Sequence, residues 1–337
     1  MAWYVLRRLL GAVVVVWIIS IVTFVVFQVV PTLTGVSPAY LYVGKVSNEA
    51  QIAAVESRLG LDQPLVQQYA TWVSGVVAGR EYSDGVTTVQ CAAPCLGYSF
   101  RLNQPVTELI VDRFPVTLSL ALGAAVLWLL VGIGLGVLSA LRRGTLLDRA
   151  AVAVSLVGVS MPVFFTGMLL LAAFSYGPSW LRWFPDVHWV PFTESPYLWF
   201  ANLVLPWIAL AFLYAAVYAR VTRSTMLDTL GEDYVRTARA KGLRRRRIVG
   251  KHAMRPVLTP LVTLLGLDLG ALLGGAILTE VTFSLPGLGL LSYDAIAARD
   301  LPVIMGVTVV AAVFIVLANL VVDVSYGFLD PRVRMTR

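Results

Sequence analysis

The chain is poor in the residues from which catalytic and metal sites are built. Among its 337 residues there are two histidines and two cysteines. His188 and His252 stand far apart, which excludes a histidine-rich metal site and an H-E-x-x-H metalloprotease helix. There is no G-x-x-x-x-G-K-[ST] run to cradle a phosphate and no G-x-S-x-G nucleophile elbow. An enzyme is therefore not expected, and work that consumes energy should draw it from another chain.

Charge is scarce as well. Only 13% of residues are Asp, Glu, Lys or Arg while 58% are apolar, with a mean hydropathy of +0.80. Soluble domains carry roughly a quarter charged residues, so this chain has too little polar surface to clothe itself in water. It reads as an all-α integral membrane protein.

A hydrocarbon core about 30 Å thick needs about 20 apolar residues of helix. Six stretches qualify: Leu9 to Val30, Val116 to Leu141, Ala150 to Phe174, Phe200 to Ala219, Val257 to Thr279 and Val303 to Val324. Met161-Pro162, Pro206 and Gly274-Gly275 interrupt them and read as kinks or close helix contacts rather than ends. The first stretch follows Arg7 and Arg8 as a signal peptide would. Its apolar run is too long for one, and no small-residue cleavage site precedes Pro31, so it is expected to stay as an anchor.

The excess of 26 Lys and Arg over 19 Asp and Glu, +7 in all, would suggest nucleic-acid binding in a soluble protein. Sorting the charges by loop gives another meaning. With the N-terminus inside, the inner segments hold 19 of the 26 basic residues, eleven of them between Arg220 and Arg255. Short cytoplasmic loops carry such an excess, so both termini are expected in the cytoplasm, with the lipid bilayer as partner and no nucleic acid. The organisation expected is an anchor (1–30), an outer loop or cap (31–113), a five-helix core (114–326) with an inner loop (221–256), and a tail (327–337).

The outer loop has two amphipathic pieces, Glu49 to Leu59 ending at Gly60, and Leu65 to Val77 after Pro64. It suits a cap that meets a partner or covers a pore, or one that only stabilises the first two spans. Cys91 and Cys95 lie in it as C-A-A-P-C. A disulfide is permitted outside the membrane and Pro94 favours the necessary turn; two free thiols are the alternative. The second outer loop, Ser175 to Trp199, is dense in Trp and Pro and reads either as an interfacial re-entrant segment or as a surface facing substrate.

The inner loop between the fourth and fifth spans is organised as well as basic. Glu232 and Asp233 open a segment that runs through Tyr234, Val235, Arg236, Thr237, Ala238, Arg239, Ala240 and Lys241 to Gly242. Acids at its start and bases at its end both suit a helix dipole, and Gly242 is placed to stop the helix in a left-handed turn. Tyr234, Val235 and Ala238 make a narrow apolar face. So short a helix is marginal alone, so it should dock against something.

At this loop the sequence resembles the permease subunits of bacterial ATP-binding-cassette importers, in the dipeptide, oligopeptide and nickel branch. Asp233 to Gly242 reads D-Y-V-R-T-A-R-A-K-G as that branch does, although only Ala238 and Gly242 match the broader E-A-A-x-x-x-G pattern of the family. Further matches follow in order: Leu59 to Leu65 with Gln68-Tyr69, Phe114 to Leu118, Thr279 to Phe283, Pro286 to Gly289, Ala298 to Val303, and Leu329 to Arg334. Two departures fall on the outer face. Arg80 to Pro94 reads as an insertion, and Pro31 to Gly35 lacks the compact P-G-D-P of the family.

The resemblance implies a type I importer permease fold of six transmembrane helices with an extracytoplasmic cap after the first. It implies a bacterial cytoplasmic-membrane protein that forms half of a pathway for a small solute, most plausibly di- or oligopeptides. It implies as partners a homologous second permease, two ATPase subunits holding ATP and Mg, and an extracytoplasmic solute-binding protein. No cofactor or metal is expected on this chain itself. The helix Glu232 to Lys241 would couple to an ATPase, with Tyr234, Val235 and Ala238 as buried docking contacts and Arg236, Arg239 and Lys241 as polar ones.

Three acids lie in or beside the spans, and intramembrane acids are functional candidates by default. Asp268, in mid-span between Gly266 and Gly270, could line the pathway and meet a peptide's amino group, or could fix helix packing. Glu280, a weaker pathway candidate, and Asp323 sit near span ends and read as interface anchors. The rival reading is an ion-coupled secondary carrier using these acids as a relay, but no inverted repeat supports it. No filter loop for a channel is present either.

Overall fold

The computed structural model describes residues 2–30, 56–57, 60–83, 88–184 and 186–329. Most of the expected Glu49–Leu59 helix, the Pro31–Gly35 departure and the tail beyond Leu329 lie outside the described residues. Helix α1 (Ala2–Phe24) runs on into a π-helical turn (Val25–Val29). A cap follows: α2 (Leu65–Ala78), an antiparallel hairpin of β1 (Arg80–Ser83) with β2 (Thr88–Cys91), and a short pair of β3 (Tyr98–Ser99) with β4 (Gln104–Pro105).

Helix α3 (Val106–Leu141) is 36 residues long and starts ten residues before the expected Val116. Polar Glu108, Asp112 and Arg113 mark a stretch that projects beyond the hydrocarbon, and Pro115 is absorbed without ending the helix. The third apolar stretch is two helices, α4 (Leu146–Ser160) and α5 (Val163–Phe174), bent by 104° to each other. Met161-Pro162 is therefore a break and not a mild kink. A residue before proline is driven to extended backbone, and Met161 adopts φ −91°, ψ 124°.

Helix α6 (Pro196–Gly231) also has 36 residues and keeps Pro206 inside it. After α7 (Asp233–Ala240) comes α8 (Arg245–Leu273), which contains a π-helical turn at Ile248–Ala253. It stops at Leu273 rather than Thr279, because Gly275 takes φ +124°, a region closed to most side chains. Short helices α9 (Ile277–Thr282) and α10 (Leu288–Ala298) follow, then α11 (Leu301–Leu329).

Helices α3 and α6 form the centre of the core. A Cβ at Gly132 would fall 2.8 Å from Tyr218 Cβ, and one at Gly136 2.5 Å from Thr222 Cβ. Small residues four apart let helix backbones approach in a membrane, where lipid is as apolar as leucine and burial alone drives no association. Trp207 Nε1 donates to the Ser119 carbonyl at 3.0 Å, and Arg223 Nε to Ser139 Oγ at 3.1 Å. Both residue numbers rise together along the contact, so the two helices run parallel. The chain between them must return across the membrane, and α4 with α5 makes that return. A similar glycine row, Gly266, Gly270 and Gly274, lets α8 meet Val322, Ala318 and Ala311 of α11 in antiparallel order.

Glu280 is fully buried on α9, not an interface anchor. Its Oε1 accepts from Thr117 Oγ1 at 2.9 Å and from the Ala276 amide at 3.2 Å, and its Oε2 from the Leu290 amide at 2.9 Å. Thr117 Oγ1 in turn accepts from the Leu288 amide at 2.8 Å. One carboxylate thus ties α3 to α9 and satisfies the amino end of α10, where orphan N–H groups and the helix dipole favour negative charge. Asp323, near the end of α11, pairs with Arg8 at 2.8 Å and pins α1 to α11.

Gly287 sits against this carboxylate so closely that a Cβ there would lie 2.4 Å from Glu280 Oε2 and 2.6 Å from Thr117 Oγ1. Gly287→Ala should lower stability in detergent by about 1–3 kcal/mol, the usual cost of overpacking. Gly134→Ala, where nothing lies within 4 Å of the added carbon, should be neutral or slightly stabilising, since alanine is the better helix former. Thermal midpoints of the two variants in the same detergent check the contrast.

Candidate functional site

Helix α7 begins at Glu232, whose extended backbone caps it, and ends in a motif the sequence anticipates. Gly242 has φ +75°, the Gly242 amide donates to the Arg239 carbonyl at 3.0 Å and the Leu243 amide to the Ala238 carbonyl at 3.3 Å. This is a Schellman ending, which satisfies carbonyls the helix would leave bare. Leu243 then packs back onto the helix it has just terminated.

The apolar face of α7 is turned inward. Val235 and Ala238 are buried against Ile248 of α8's π-helical turn, with Leu230 and Leu243 beside them. Tyr234 donates to the His252 carbonyl at 3.2 Å. Val235 and Ala238 therefore seat the helix on its own chain and are not a free docking face, contrary to the expectation, while the ring of Tyr234 stays exposed beside them. The reason is energetic: eight residues of helix do not hold together in water without burying an apolar stripe, and the nearest apolar surface is the returning chain. The exposed residues are Asp233, Tyr234, Arg236, Thr237, Arg239, Ala240 and Lys241.

Next to this seat lies a cluster that the sequence reading passed over. Arg223, eight residues before the end of α6, grips Asp148 of α4 with both nitrogens, Nε to Oδ1 at 2.7 Å and Nη2 to Oδ2 at 3.0 Å. Ser139 Oγ of α3 also donates to Asp148, and the Gly144 amide donates to its Oδ2 at 2.9 Å. Thr145 caps α4 by accepting from the Asp148 amide. The pattern Thr145-x-x-Asp148 is a capping-box signal legible in the sequence, but its partner Arg223 is 75 residues away among other arginines. Three helices are thereby locked together at the end of the bundle that carries α7. Arg245 Nη2 adds a fourth by donating to the Leu141 carbonyl at 3.3 Å.

Asp268 lies on α8 with its Oδ2 accepting from Tyr218 OH at 2.8 Å. Glu280 is enclosed by the contacts already given, and Asp323 is held by Arg8. The three acids are thus separately engaged and form no relay among the described residues. At the opposite end of the bundle, Cys91 and Cys95 are joined in a buried disulfide that closes the insertion into its hairpin. The cap is tied down through Ser99, whose hydroxyl donates to Asp300 ahead of α11, and through Arg101, which donates to the Ala298 carbonyl at 3.0 Å. Along the second outer loop, Trp180, Trp183, Phe192 and Tyr197 are exposed, as rings at a membrane interface are. No group of three or more metal-ligating side chains occurs among the described residues.

A family described as binding-protein-dependent transport system inner membrane component matches residues 132–335, and the corresponding N-terminal family matches residues 1–121. The dipeptide transport system permease protein of Escherichia coli K12 is 38% identical over 368 residues, covering 99% of each chain. A Sinorhizobium fredii protein named as a probable peptide ABC transporter permease is 35% identical over 334 residues, covering 99% of this chain and 100% of its own. Among solved structures, the inward-facing MetNI methionine ABC transporter aligns with a TM-score of 0.49 at 16% identity, covering 66% of this chain and 97% of that one.

The clamp is testable without reference to activity. Asp148→Ala leaves a partly buried guanidinium without its carboxylate, and should cost about 2 kcal/mol, below the 3–5 kcal/mol of a fully buried pair because Arg223 keeps some solvent contact. Adding Arg223→Met should recover part of that loss. A double-mutant cycle in detergent with a coupling energy of about 1 kcal/mol or more checks the pairing.

Proposed function

The chain belongs to the binding-protein-dependent transport system inner membrane components, and from that premise we propose that it carries di- or oligopeptides inward as one half of a two-permease pathway. As a member of that family it is the transmembrane permease subunit of an ATP-binding-cassette importer, a multi-pass inner-membrane protein. It works with ATPase and binding-protein components and hydrolyses no ATP itself. The observation that carries the peptide reading is identity of 38% across 99% of both chains to a dipeptide permease.

In this proposal the other half of the pathway is a homologous second permease, and two ATPase subunits hold ATP and Mg. The binding protein delivers solute to the capped face. Both termini lie in the cytoplasm, on the side where the inner loops gather nineteen basic residues. Helix α7 is the coupling element, and Arg236, Thr237, Arg239 and Lys241 are the side chains that meet an ATPase.

The mechanical path follows from the seat. A displacement of α7 is delivered to the start of α8 through Val235, Ala238 and Ile248 and to the end of α6 through Leu230. From α6 it passes through Arg223 to α3 and α4. The π-helical turn at Ile248–Ala253 leaves α8 locally underbonded compared with a regular helix, at the point where α7 bears on it.

Reconstitution of the chain in proteoliposomes with its second permease, ATPases and binding protein tests the reading. Uptake of a labelled dipeptide should require ATP, stop with vanadate and persist with a protonophore. Uptake that a protonophore abolishes would overturn the assignment. Reversing two exposed charges, Arg236→Glu with Arg239→Glu, should reduce uptake at least tenfold while α7 keeps its seat; unchanged uptake would remove α7 from the coupling path.

A further inference from the structure

Apart from Asp300, which lies at the outer end of α11 and accepts from Ser99 of the cap, four carboxylates of the membrane-embedded helices and their inner junctions meet low-dielectric surroundings, and three have their charge answered within the chain. Asp148 has Arg223, Asp323 has Arg8, and Glu280 is enclosed by backbone and hydroxyl donors on both oxygens. Asp268 differs. Among the described residues its one hydrogen-bond partner is the neutral phenol of Tyr218, on Oδ2, and no cation pairs with it. The residue is partly exposed while Tyr218 is fully buried.

Its depth and its facing narrow the meaning. About 20 Å of helix separates Asp268 from Arg255, at a rise of about 1.5 Å per residue. Gly266 and Gly270, two positions to either side, press against Val322 and Ala318 of α11, so Asp268 points away from α11 and toward α6. The Tyr218 bond holds Oδ2 against α6, and no hydrogen bond engages Oδ1 among the described residues. An ionisable side chain at this depth faces a wet cavity or another protein rather than lipid. If packing alone were required, an amide or hydroxyl would accept the Tyr218 bond without a charge.

The surroundings are those of a cation receptor. Tyr214 stands one helical turn before Tyr218 on α6, its ring tilted against Trp128 at 4.6 Å. Trp128 is fully buried behind it. Aromatic faces beside a carboxylate favour an ammonium group, which both attract.

We propose that Asp268, held by Tyr218 and flanked by Tyr214, is a recognition point in the translocation pathway for the ammonium group of a passing solute, the free N-terminus of a peptide. This deepens the peptide-import reading and rests on it. It also turns the α6–α8 face toward the pathway axis.

The test uses the complete transporter in proteoliposomes and ATP-driven uptake of L-alanyl-L-alanine. Asp268→Asn, nearly isosteric, should lower uptake at least tenfold, and Asp268→Glu should keep it within threefold of wild type. Asp268→Cys, in complexes whose partner subunits have been stripped of cysteine, should react with a water-soluble methanethiosulfonate and be protected by saturating dipeptide, this chain adding no background because Cys91 and Cys95 are disulfide-bonded. Asn uptake within twofold of wild type, a thiol inert to the reagent, or loss of the second permease on co-purification of Asp268→Asn would each overturn the assignment, the last by placing the counter-charge on that partner. Wild-type vesicles without ATP-driven dipeptide uptake would instead sink the peptide reading, and this inference with it.

Discussion

The parallel contact of α3 with α6 sets the terms for everything around it. Two neighbouring helices that cross in the same direction oblige the chain between them to recross, so the apolar stretch from Leu146 to Phe174 must span despite its 104° break. The closeness of the contact, which Gly132 and Gly136 permit, brings Ser139 within reach of Arg223 and places Tyr218 behind Asp268. The clamp at one end and the acidic site in the middle both inherit their geometry from one packed seam. A Cβ on either glycine would open it and loosen both.

Low dielectric is the second constraint, and the chain meets it differently at each acid. At Glu280 the answer is neutral donors in number, with a helix terminus among them, so the charge is spread over a fixed frame. Asp148 meets a guanidinium fork whose planar geometry fixes orientation as well as charge. Both arrangements suit joints that must stay shut: breaking one would strand a charge where water is scarce. Asp268 has only one neutral partner, the Tyr218 phenol, and would be the one of the three free to pair with a cation in the role proposed for it.

The number of crossings was legible because hydrophobic length reports on the membrane and not on tertiary contacts. The start and stop of α7 were legible for a related reason: Glu232, Asp233 and Gly242 act on the helix they belong to. What the sequence reading misjudged depended on partners far along the chain. Met161-Pro162 and Gly274-Gly275 read as kinks or close helix contacts, and Gly274 does make a close contact with Ala311, but both sites are also helix ends, since apolar composition does not tell a bent span from two helices. It set Glu280 at an interface because Thr117, its donor, is 163 positions away. It overlooked Arg223 because one arginine among eleven basic neighbours carries no local mark of burial. Val235 and Ala238 were correctly placed on one face of α7, but periodicity does not say what that face covers.

That last correction changes how force can reach the membrane. Had the apolar face been the docking surface, coupling would rely on hydrophobic burial between subunits, and α7 would be poorly held whenever the subunits parted. With Val235 and Ala238 seated on Ile248 and Leu243, the helix is held as an extension of its own chain. The surface left for a partner is polar and cationic, dominated by Arg236, Arg239 and Lys241. Exposed charge pairs are weak individually and screened by salt, which suits a contact that bears load in one direction without binding too tightly to cycle. In the coupling role proposed for α7, rigidity would come from inside the chain and exchangeability from its surface, so that a push on α7 would move α6 and α8 instead of unseating the helix.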